Sequence, residues 1–446
     1  MMNNKLIEFN ERLKSSKIAV IGLGVSNLPL IDYLFDLGCN VTIFSDNEIE
    51  MDLSKYNFEV FIGEDCLNNL VGFDIIFRSP GCLPTRSEIV AEIERGCYVT
   101  TEIEEVIKLC PCRVFGVTGS DGKTTTTTLI DLVLRSNGYK THLGGNIGTP
   151  LFTKINEMKE EDIVVLELSS FQLMGMDVSP SRSLITNVSP NHLDKHKDYQ
   201  EYIDSKCNIY NHSEGILVLN YDNEVTNKLE SSREIRYFSR YSKTNGFYVF
   251  DGFICFDGKK IFNTKNLCIR GEHNYENICA CMSLLYDMVD IDKSMEAIAN
   301  FGGVEHRLEF VREINGVKWY NDSVSSSPTR TIAGLNSYSE DIVLIAGGYD
   351  KNLDYTPIAK PILNKVKKLI LFGDTKDKIY SAVMKMKNNE DIEIFVCNNL
   401  DEVVDKAYEV AKSGDIVLFS PASASFDLFK NFADRGIKFK EKVNRL

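Results

Sequence analysis

The stretch "VFGVTGSDGKTTTTTLI", residues 114–130, sets five threonines behind a glycine-flanked lysine. Threonine's branched β-carbon restricts χ1 against the preceding turn, so such a run is a poor opening for a plain surface helix. The stretch instead predicts a strand over 114–117, a tight loop and a helix N-terminus. Gly119 and Gly122 let backbone N–H groups close around an anion, Lys123 adds a point charge, and Thr124 offers a hydroxyl to Mg²⁺. The standard phosphate loop, G-x-x-x-x-G-K-[ST], would have glycine at Val117; the nearest one, Gly116, falls one residue early. A glycine-rich turn before a buried helix is the plainer alternative. GK[ST] directly after an apolar strand is specific enough to predict a nucleoside-triphosphate site.

Composition narrows the partners. The 446 residues suffice for about three domains, each with its own core. Hydrophobic residues make up 43% and charged residues 26%, the balance of a soluble globular protein. A formal net charge of −14 without any basic run argues against nucleic acid and against anionic membrane surfaces. A protein so acidic must concentrate its cations wherever it binds an anionic substrate. No apolar run reaches transmembrane length, and the opening "MMNNKLIEFNERLK" lacks the apolar stretch of a signal peptide. The twelve cysteines are scattered, and "CPC" (110–112) and "CAC" (279–281) have neither zinc-ligand nor redox-pair spacing. Reduced thiols in a cytoplasmic monomer are the expectation.

Outward from the opening stretch, the chain reads as an α/β protein of three domains. Residues 1–103 open with "KIAVIGLGVSNLPLIDYLFDLGCNVTIFSDNE": a strand over 18–21, Gly22-x-Gly24, a helix, and a second strand over 41–44 ending near Asp46. This is a Rossmann-like unit with Asn27 in place of the third glycine, so it suits a nucleotide diphosphate without choosing a dinucleotide. "FRSPGCLP", residues 77–84, adds a second Gly/Pro loop after a strand. Residues 104–303 form a P-loop ATPase-like domain with later strands in "DIVVLELSSF", "SLITNVS" and "GILVLN". A small β-rich part, residues 237–266, is broken by "NG", "DG" and "DG", the signature of hairpins. Residues 304–446 alternate strands ("DIVLIAGG", "KKLILFGD", "DIVLFSPAS") with helices, predicting a second Rossmann-like parallel sheet.

Several polar residues sit where strands do not need them. Glu167 closes an apolar strand, where a charge is costly unless paired or metal-bound. His192 and Asp194 follow another strand, at the end where open α/β sheets bind ligands. Glu167, His192 and Thr124, each just past a strand, make an oxygen-rich Mg²⁺ site. Asn274 and Asn277, at i and i+3 in "GEHNYENI", put two amides on one helical face, suited to a base or ribose. Arg307 in "GGVEHRLEF" opens the third region and suits a triphosphate, and "YNDSVSSSP" supplies Asp322 beside a hydroxyl-rich cap.

In this order the motifs "GVTGSDGKTT", "GGNIGTP", "ELSSFQL", "NHLDKH", "GEHNYEN", "EHRLE" and "NDS" resemble the Mur ligase family of ATP-dependent amino-acid-adding enzymes of bacterial cell-wall synthesis. The resemblance spans essentially the whole chain. "GLGVSN", "GGYDKNLDY" and "SPASASFDLFKNFADRG" are similar to the family's D-glutamate-adding branch. It implies three domains, binding UDP substrate, ATP and amino acid in turn. It also implies that ATP phosphorylates the carboxylate of UDP-N-acetylmuramoyl-L-alanine to an acyl phosphate, which the amine of D-glutamate attacks.

By the same resemblance Lys123, Asn146, His192 and Lys206 form the catalytic set. Gly119, Ser120, Asp121, Gly122, Lys123, Thr124, Thr125, Asn274, Asn277, Arg307 and Asp322 meet ATP. Two Mg²⁺ ions fall to Thr124, Glu167, His192 and a carbamylated Lys206, whose added carboxylate turns a cation into an oxygen ligand. The UDP substrate falls to Gly24, Val25, Ser26, Asn27, Ser45, Asp46, Ser79, Pro80, Gly81 and Asn146. D-Glutamate falls to Lys351, Ser326, Ser425, Phe426 and Phe432.

Two positions depart from the family pattern: Val324 stands where "NDSKATN" has lysine, and Ser45 where many members carry aspartate, with Asp46 following. Another Mur-type ligase or a folylpolyglutamate synthetase would share the ATP core. A dehydrogenase built on Gly22-x-Gly24 has no use for the Lys123 loop. A non-catalytic nucleotide-binding regulator has none for Glu167, His192 and Lys206 together.

Overall fold

A computed structural model describes residues 3–24, 26–49, 52–192, 195–269, 271–387 and 391–446. Four sheets carry the fold. The first contains β1 (Lys17–Ile21), β2 (Asn40–Ser45), β3 (Glu59–Ile62), β4 (Ile75–Arg78) and β5 (Tyr98–Thr100), all parallel, in the order β3-β2-β1-β4-β5. The second contains β6 (Arg113–Thr118), β7 (Thr141–Gly145), β8 (Ile163–Glu167), β9 (Arg182–Ile185), β10 (Ile216–Asn220) and β11 (Glu234–Phe238), also parallel, ordered β11-β10-β9-β6-β8-β7. The β-rich part is a meander of β12 (Tyr248–Phe250), β13 (Phe253–Phe256) and β14 (Lys259–Asn263). Its two turns are the "DG" pairs, with Asp251, Gly252, Asp257 and Gly258 all at positive φ, as two-residue hairpins demand. The "NG" pair at Asn245 makes no such turn; its side chain accepts from Tyr237 N at 2.7 Å just ahead of β12.

The last sheet contains β15 (Glu309–Ile314), β16 (Val317–Asn321), β17 (Ile342–Gly347), β18 (Val366–Phe372), β19 (Glu393–Val396) and β20 (Ile416–Phe419), ordered β15-β16-β20-β17-β18-β19. Only the β15–β16 hairpin is antiparallel. The central strands of all three large sheets are buried on both faces, which is why they read as continuous apolar runs.

The chain divides into two compact units: Met1–Asn266 with Glu272–Ile298, and Leu267–Gly271 with Ala299–Leu446. The first unit holds the first two large sheets and the meander. Phe152 joins them: it lies edge-on to Phe9 (6.3 Å), Tyr33 (5.2 Å) and Phe77 (6.3 Å) of the first region. The buried Glu102 carboxylate accepts from Leu151 N (3.0 Å) and Phe152 N (2.8 Å). Residue 103 therefore falls inside one continuous core.

Candidate active site

In the first unit β6 delivers the chain to the phosphate loop. Gly119 (φ +150°) and Gly122 (φ +80°) occupy backbone conformations that side chains resist. A Cβ at Gly119 would collide with the Thr186 hydroxyl, and one at Gly122 would lie 2.5 Å from Asn277 Oδ1. The loop is tied from the segment after β9: Ser120 N donates to Asn187 O (2.9 Å) and Asp121 N to Asn187 Oδ1 (3.0 Å). Ser120 Oγ bonds Ser189 O and Tyr202 OH, both at 3.0 Å, while Asp121 is exposed. Lys123 Nζ donates to the carbonyls of Gly119 and Ser120, each at 2.9 Å.

The helix Lys123–Ser136 starts here, with first-turn N–H groups that helix geometry leaves without intrahelical partners. Thr126 and Thr127 are fully buried, and the Thr127 and Thr128 hydroxyls back-bond to Lys123 O and Thr124 O at 2.8 Å. The Thr127 and Thr128 hydroxyls thus serve the helix itself, while Thr124 stands in its first turn beside the loop.

Across from Val117, Glu167 ends β8 with 1% of its surface exposed. Its Oε1 accepts from Asn146 Nδ2 at 2.9 Å, and its Oε2 is buried with no hydrogen-bond partner. A carboxylate oxygen left bare in the interior is costly, and Mg²⁺ or its water shell is the partner that suits an oxygen-rich donor set. The residues present therefore fit that ion. Among the described residues no three His, Cys, Asp or Glu side chains converge, so phosphate oxygens and water would complete the shell, as is usual for Mg²⁺.

Lys206, on the helix Tyr199–Cys207, is 2% exposed. Its Nζ donates to Gly119 O at 2.9 Å, lies 3.5 Å from Thr118 Oγ1 and sits 4.5 Å above the Tyr202 ring. Two ammonium groups thus share the Gly119 carbonyl, and burial followed by repulsion from Lys123 brings the Lys206 pKa down to about 7. His192 is exposed at φ +55°, its ring edge-on to Phe171 at 5.3 Å. His196, which the sequence reading passed over, is the buried imidazole: it stacks on Phe171 and bonds Ser170 Oγ at 3.0 Å. Asn277 Nδ2 donates to Asn274 Oδ1 at 3.2 Å and its Oδ1 accepts from Thr126 at 3.3 Å, so this amide props the phosphate loop.

At the carboxyl ends of the first sheet, Asn27 is buried and its Nδ2 donates to Gly22 O at 2.8 Å, bracing the turn in place of a third glycine. Ser45 Oγ donates to Asn47 O at 2.7 Å, and Asp46 pairs with Arg86 at 3.3 Å. Gly24 and Gly81 are exposed, and Ser26, Ser79 and Pro80 half-buried. Val25 and Asp194 lie outside the described residues.

In the second unit three loops leave the carboxyl ends of β16, β17 and β20. Asp322 is turned inward: its carboxylate accepts from Ser325 Oγ and Ser420 Oγ, both at 2.6 Å, and from Leu308 N at 3.3 Å. Burial pushes its pKa up to about 6. Tyr349 N donates to Ala424 O at 3.0 Å, joining the second loop to the third. Lys351 is exposed, its Nζ 5.3 Å from the centre of the Phe426 ring, which Tyr349 meets edge-on at 5.9 Å. Ser425 is buried, Ser326 half-buried, and Phe426, Phe432 and Arg307 exposed. Asn187, His196 and Arg435 escaped the sequence reading although all three lie in quoted motifs, because nothing in their spacing marks which polar residue turns inward.

Residues 117–285 match the Mur ligase middle domain, and residues 306–423 match the Mur ligase glutamate ligase domain. A UDP-N-acetylmuramoylalanine--D-glutamate ligase of Clostridium botulinum (strain Langeland) is 48% identical over 100% of both chains. One of Clostridium kluyveri is 47% identical over 99% of this chain and 100% of its own. Among solved structures, the UDP-N-acetylmuramate-alanine ligase MurC of Thermotoga maritima shares the fold, with a TM-score of 0.59, 18% identity, and coverage of 96% of this chain and 99% of its own. With nearly half its residues identical to those relatives from end to end, the chain belongs to the Mur ligase family.

Proposed function

We propose that this chain is an ATP-dependent ligase that joins D-glutamate to UDP-N-acetylmuramoyl-L-alanine in the synthesis of peptidoglycan precursor. The observation that carries the reading is the 48% identity, over the full length of both chains, to a ligase named for that reaction. In the reaction, a carboxylate oxygen of the UDP substrate attacks the γ-phosphorus of ATP, and the bond to the β,γ-bridging oxygen breaks to release ADP. The D-glutamate nitrogen then attacks the acyl carbon and loses a proton, and the bond to phosphate breaks. A carboxylate is a poor electrophile, so its conversion to an acyl phosphate is what makes the amide bond accessible.

The work of the chain is positioning and charge neutralisation. Gly119 to Thr125 hold the triphosphate, with Lys123 leaving its loop carbonyls for the β/γ-phosphates. Thr124, Glu167, His192 and Lys206 hold two Mg²⁺ ions, which supply Lewis-acid neutralisation of the transferring phosphoryl group. Lys206 acts as a carbamate: a buried ammonium beside Lys123 is repelled, and an added carboxylate converts it to an oxygen ligand. Asn146 orients Glu167 and reaches the UDP substrate. Asn274 and Asn277 face the nucleotide.

The first sheet takes the UDP portion (residues 1–103), the second ATP (104–303) and the last the amino acid (304–446). Lys351 pairs with a D-glutamate carboxylate, Ser326 and Ser425 donate hydroxyl hydrogen bonds, and Phe426 and Phe432 wall the side chain. The setting is the cytoplasm, in keeping with twelve free thiols and, among the described residues, no helix long and apolar enough to cross a membrane. The test is phosphate release from ATP and Mg²⁺ with UDP-N-acetylmuramoyl-L-alanine and each candidate amino acid in turn. Release with D-glutamate alone is expected; comparable turnover with L-glutamate, L-lysine or diaminopimelate would refute the substrate.

A further inference from the structure

One side chain ties two of the three loops of the second unit together and lies against the third. Arg435, in the first turn of the helix Phe432–Arg445, is fully buried. Its Nε donates to Ser323 Oγ (3.0 Å) and one terminal nitrogen to Ser323 O (2.8 Å), on the loop after β16. Its other terminal nitrogen donates to the carbonyls of Ser423 (3.0 Å) and Ala424 (2.7 Å), on the loop after β20. Ser323 Oγ passes the connection on to Phe432 O at 2.7 Å. On the loop after β17, Gly348 stands at φ +147°, and a Cβ there would run into Ala424 O and lie 3.0 Å from an Arg435 terminal nitrogen.

The chemistry of the clamp is specific to arginine. Four neutral acceptors on two separate segments are met by one planar group, and only a guanidinium brings five donors in a fixed fork. An amide brings two donors, and an ammonium three from a single point. Burying a charge to tie carbonyls together is a costly choice, made beside a second costly feature. Ala422 is fully buried in the left-handed region at φ +57°, a conformation that persists only where its surroundings over-determine it. It lies immediately before the two carbonyls that Arg435 holds. Strain and clamp together fix the course of the loop that carries Ser425 and Phe426.

We infer that Arg435 is the positioning residue of the amino-acid pocket, holding the loops after β16 and β20 together, with the loop after β17 joined to them through the bond from Tyr349 N to Ala424 O, so that Ser326, Lys351 and Ser425 meet D-glutamate together. This rests on the reading that these loops bind the amino acid.

The test compares Arg435→Lys, Ser323→Ala and Lys351→Ala in the full-length chain, with KM measured separately for D-glutamate and ATP and with thermal melting. Arg435→Lys is expected to raise KM for D-glutamate by about ten-fold or more, with KM for ATP within about two-fold of the parent. Ser323→Ala, which cuts the Nε arm and the relay to Phe432, is expected to move KM for D-glutamate the same way by about three-fold. A merely structural arginine would lower melting temperature and the active fraction while leaving KM for D-glutamate in place, and that result would overturn the inference. Should Arg435→Lys fail to fold, Ser323→Ala decides by the same criterion. If Lys351→Ala raises KM for D-glutamate and the clamp variants do not, the pocket stands and the positioning role falls. If Lys351→Ala leaves that KM unchanged, the pocket reading falls and takes the inference with it.

Discussion

After β6 the chain needs only residues 119–124 to set two glycines at positive φ, a lysine and the opening of a helix around one point. After β16, β17 and β20 three loops from well-separated parts of the chain are tied together, Arg435 bonding Ser323, Ser423 and Ala424, and Tyr349 N bonding Ala424 O. Each region sits at the carboxyl ends of its own sheet, and under the proposed function the two face different recognition problems. A phosphate accepts hydrogen bonds in every direction, so successive backbone N–H groups of one short segment can hold it. An amino acid presents two carboxylates and an amine in fixed directions, and only side chains arriving from several loops meet all three. The first site is local in the chain and held by neighbours pressing on glycine. The second is non-local and held by a buried guanidinium.

The largest test of that contrast is at the local site. Lys123→Ala removes a positive charge from the cradle, and phosphate release should fall by about a thousand-fold or more with the melting temperature nearly unchanged. Near-normal turnover would break the comparison at its stronger end. Next in size is Lys206→Ala, which should lose about a hundred-fold in activity and regain part of it with added formate or acetate, which return a carboxylate to the cavity. Isotope-labelled bicarbonate should give a carbamate carbon resonance in the parent that the variant lacks; its absence from active parent enzyme would rule the modification out.

At the non-local site a single change should touch one substrate only. Lys351→Ala should raise KM for D-glutamate by about ten- to a hundred-fold, the worth of one charge-assisted hydrogen bond, and leave ATP binding alone. Equal effects on both substrates would mean that the two sites are not separable in this way.

The smallest effect concerns the ionisable tie between the loops after β16 and β20. Burial raises the Asp322 pKa from 3.8 to about 6, so the folded protein retains a proton that the unfolded chain releases. The contribution of this group to stability is therefore fully present below pH about 4 and is lost as pH rises through about 6. Relative to the parent, Asp322→Asn should gain stability between pH 4.5 and 7.5 by on the order of 1–3 kcal/mol, read from melting curves of the two proteins across that range. A parallel pair of pH profiles would show that Asp322 titrates as an ordinary surface carboxylate.

What the amino-acid sequence alone settled follows from short-range physics. The phosphate loop, the two Asp-Gly hairpins and the strand–loop–helix alternation all depend on residues within a few positions of one another, through glycine conformations, turn chemistry and apolar runs. The full set of ordered motifs reached further and identified the family. Tertiary structure alone decided which polar residues face inward. Ser120 is spent on Ser189 and Tyr202, Asn277 on the loop it props, and Asp322 on two serine hydroxyls, while Glu167 keeps one oxygen bare. His196 is buried and its neighbour His192 exposed, although both stand in the one motif "NHLDKH". Likewise Phe152 merges the first two sheets into one core, and Arg435 closes the loops after β16 and β20 on itself. These outcomes depend on where segments distant in the chain come to rest, and a buried polar group finds its partner only when both have arrived.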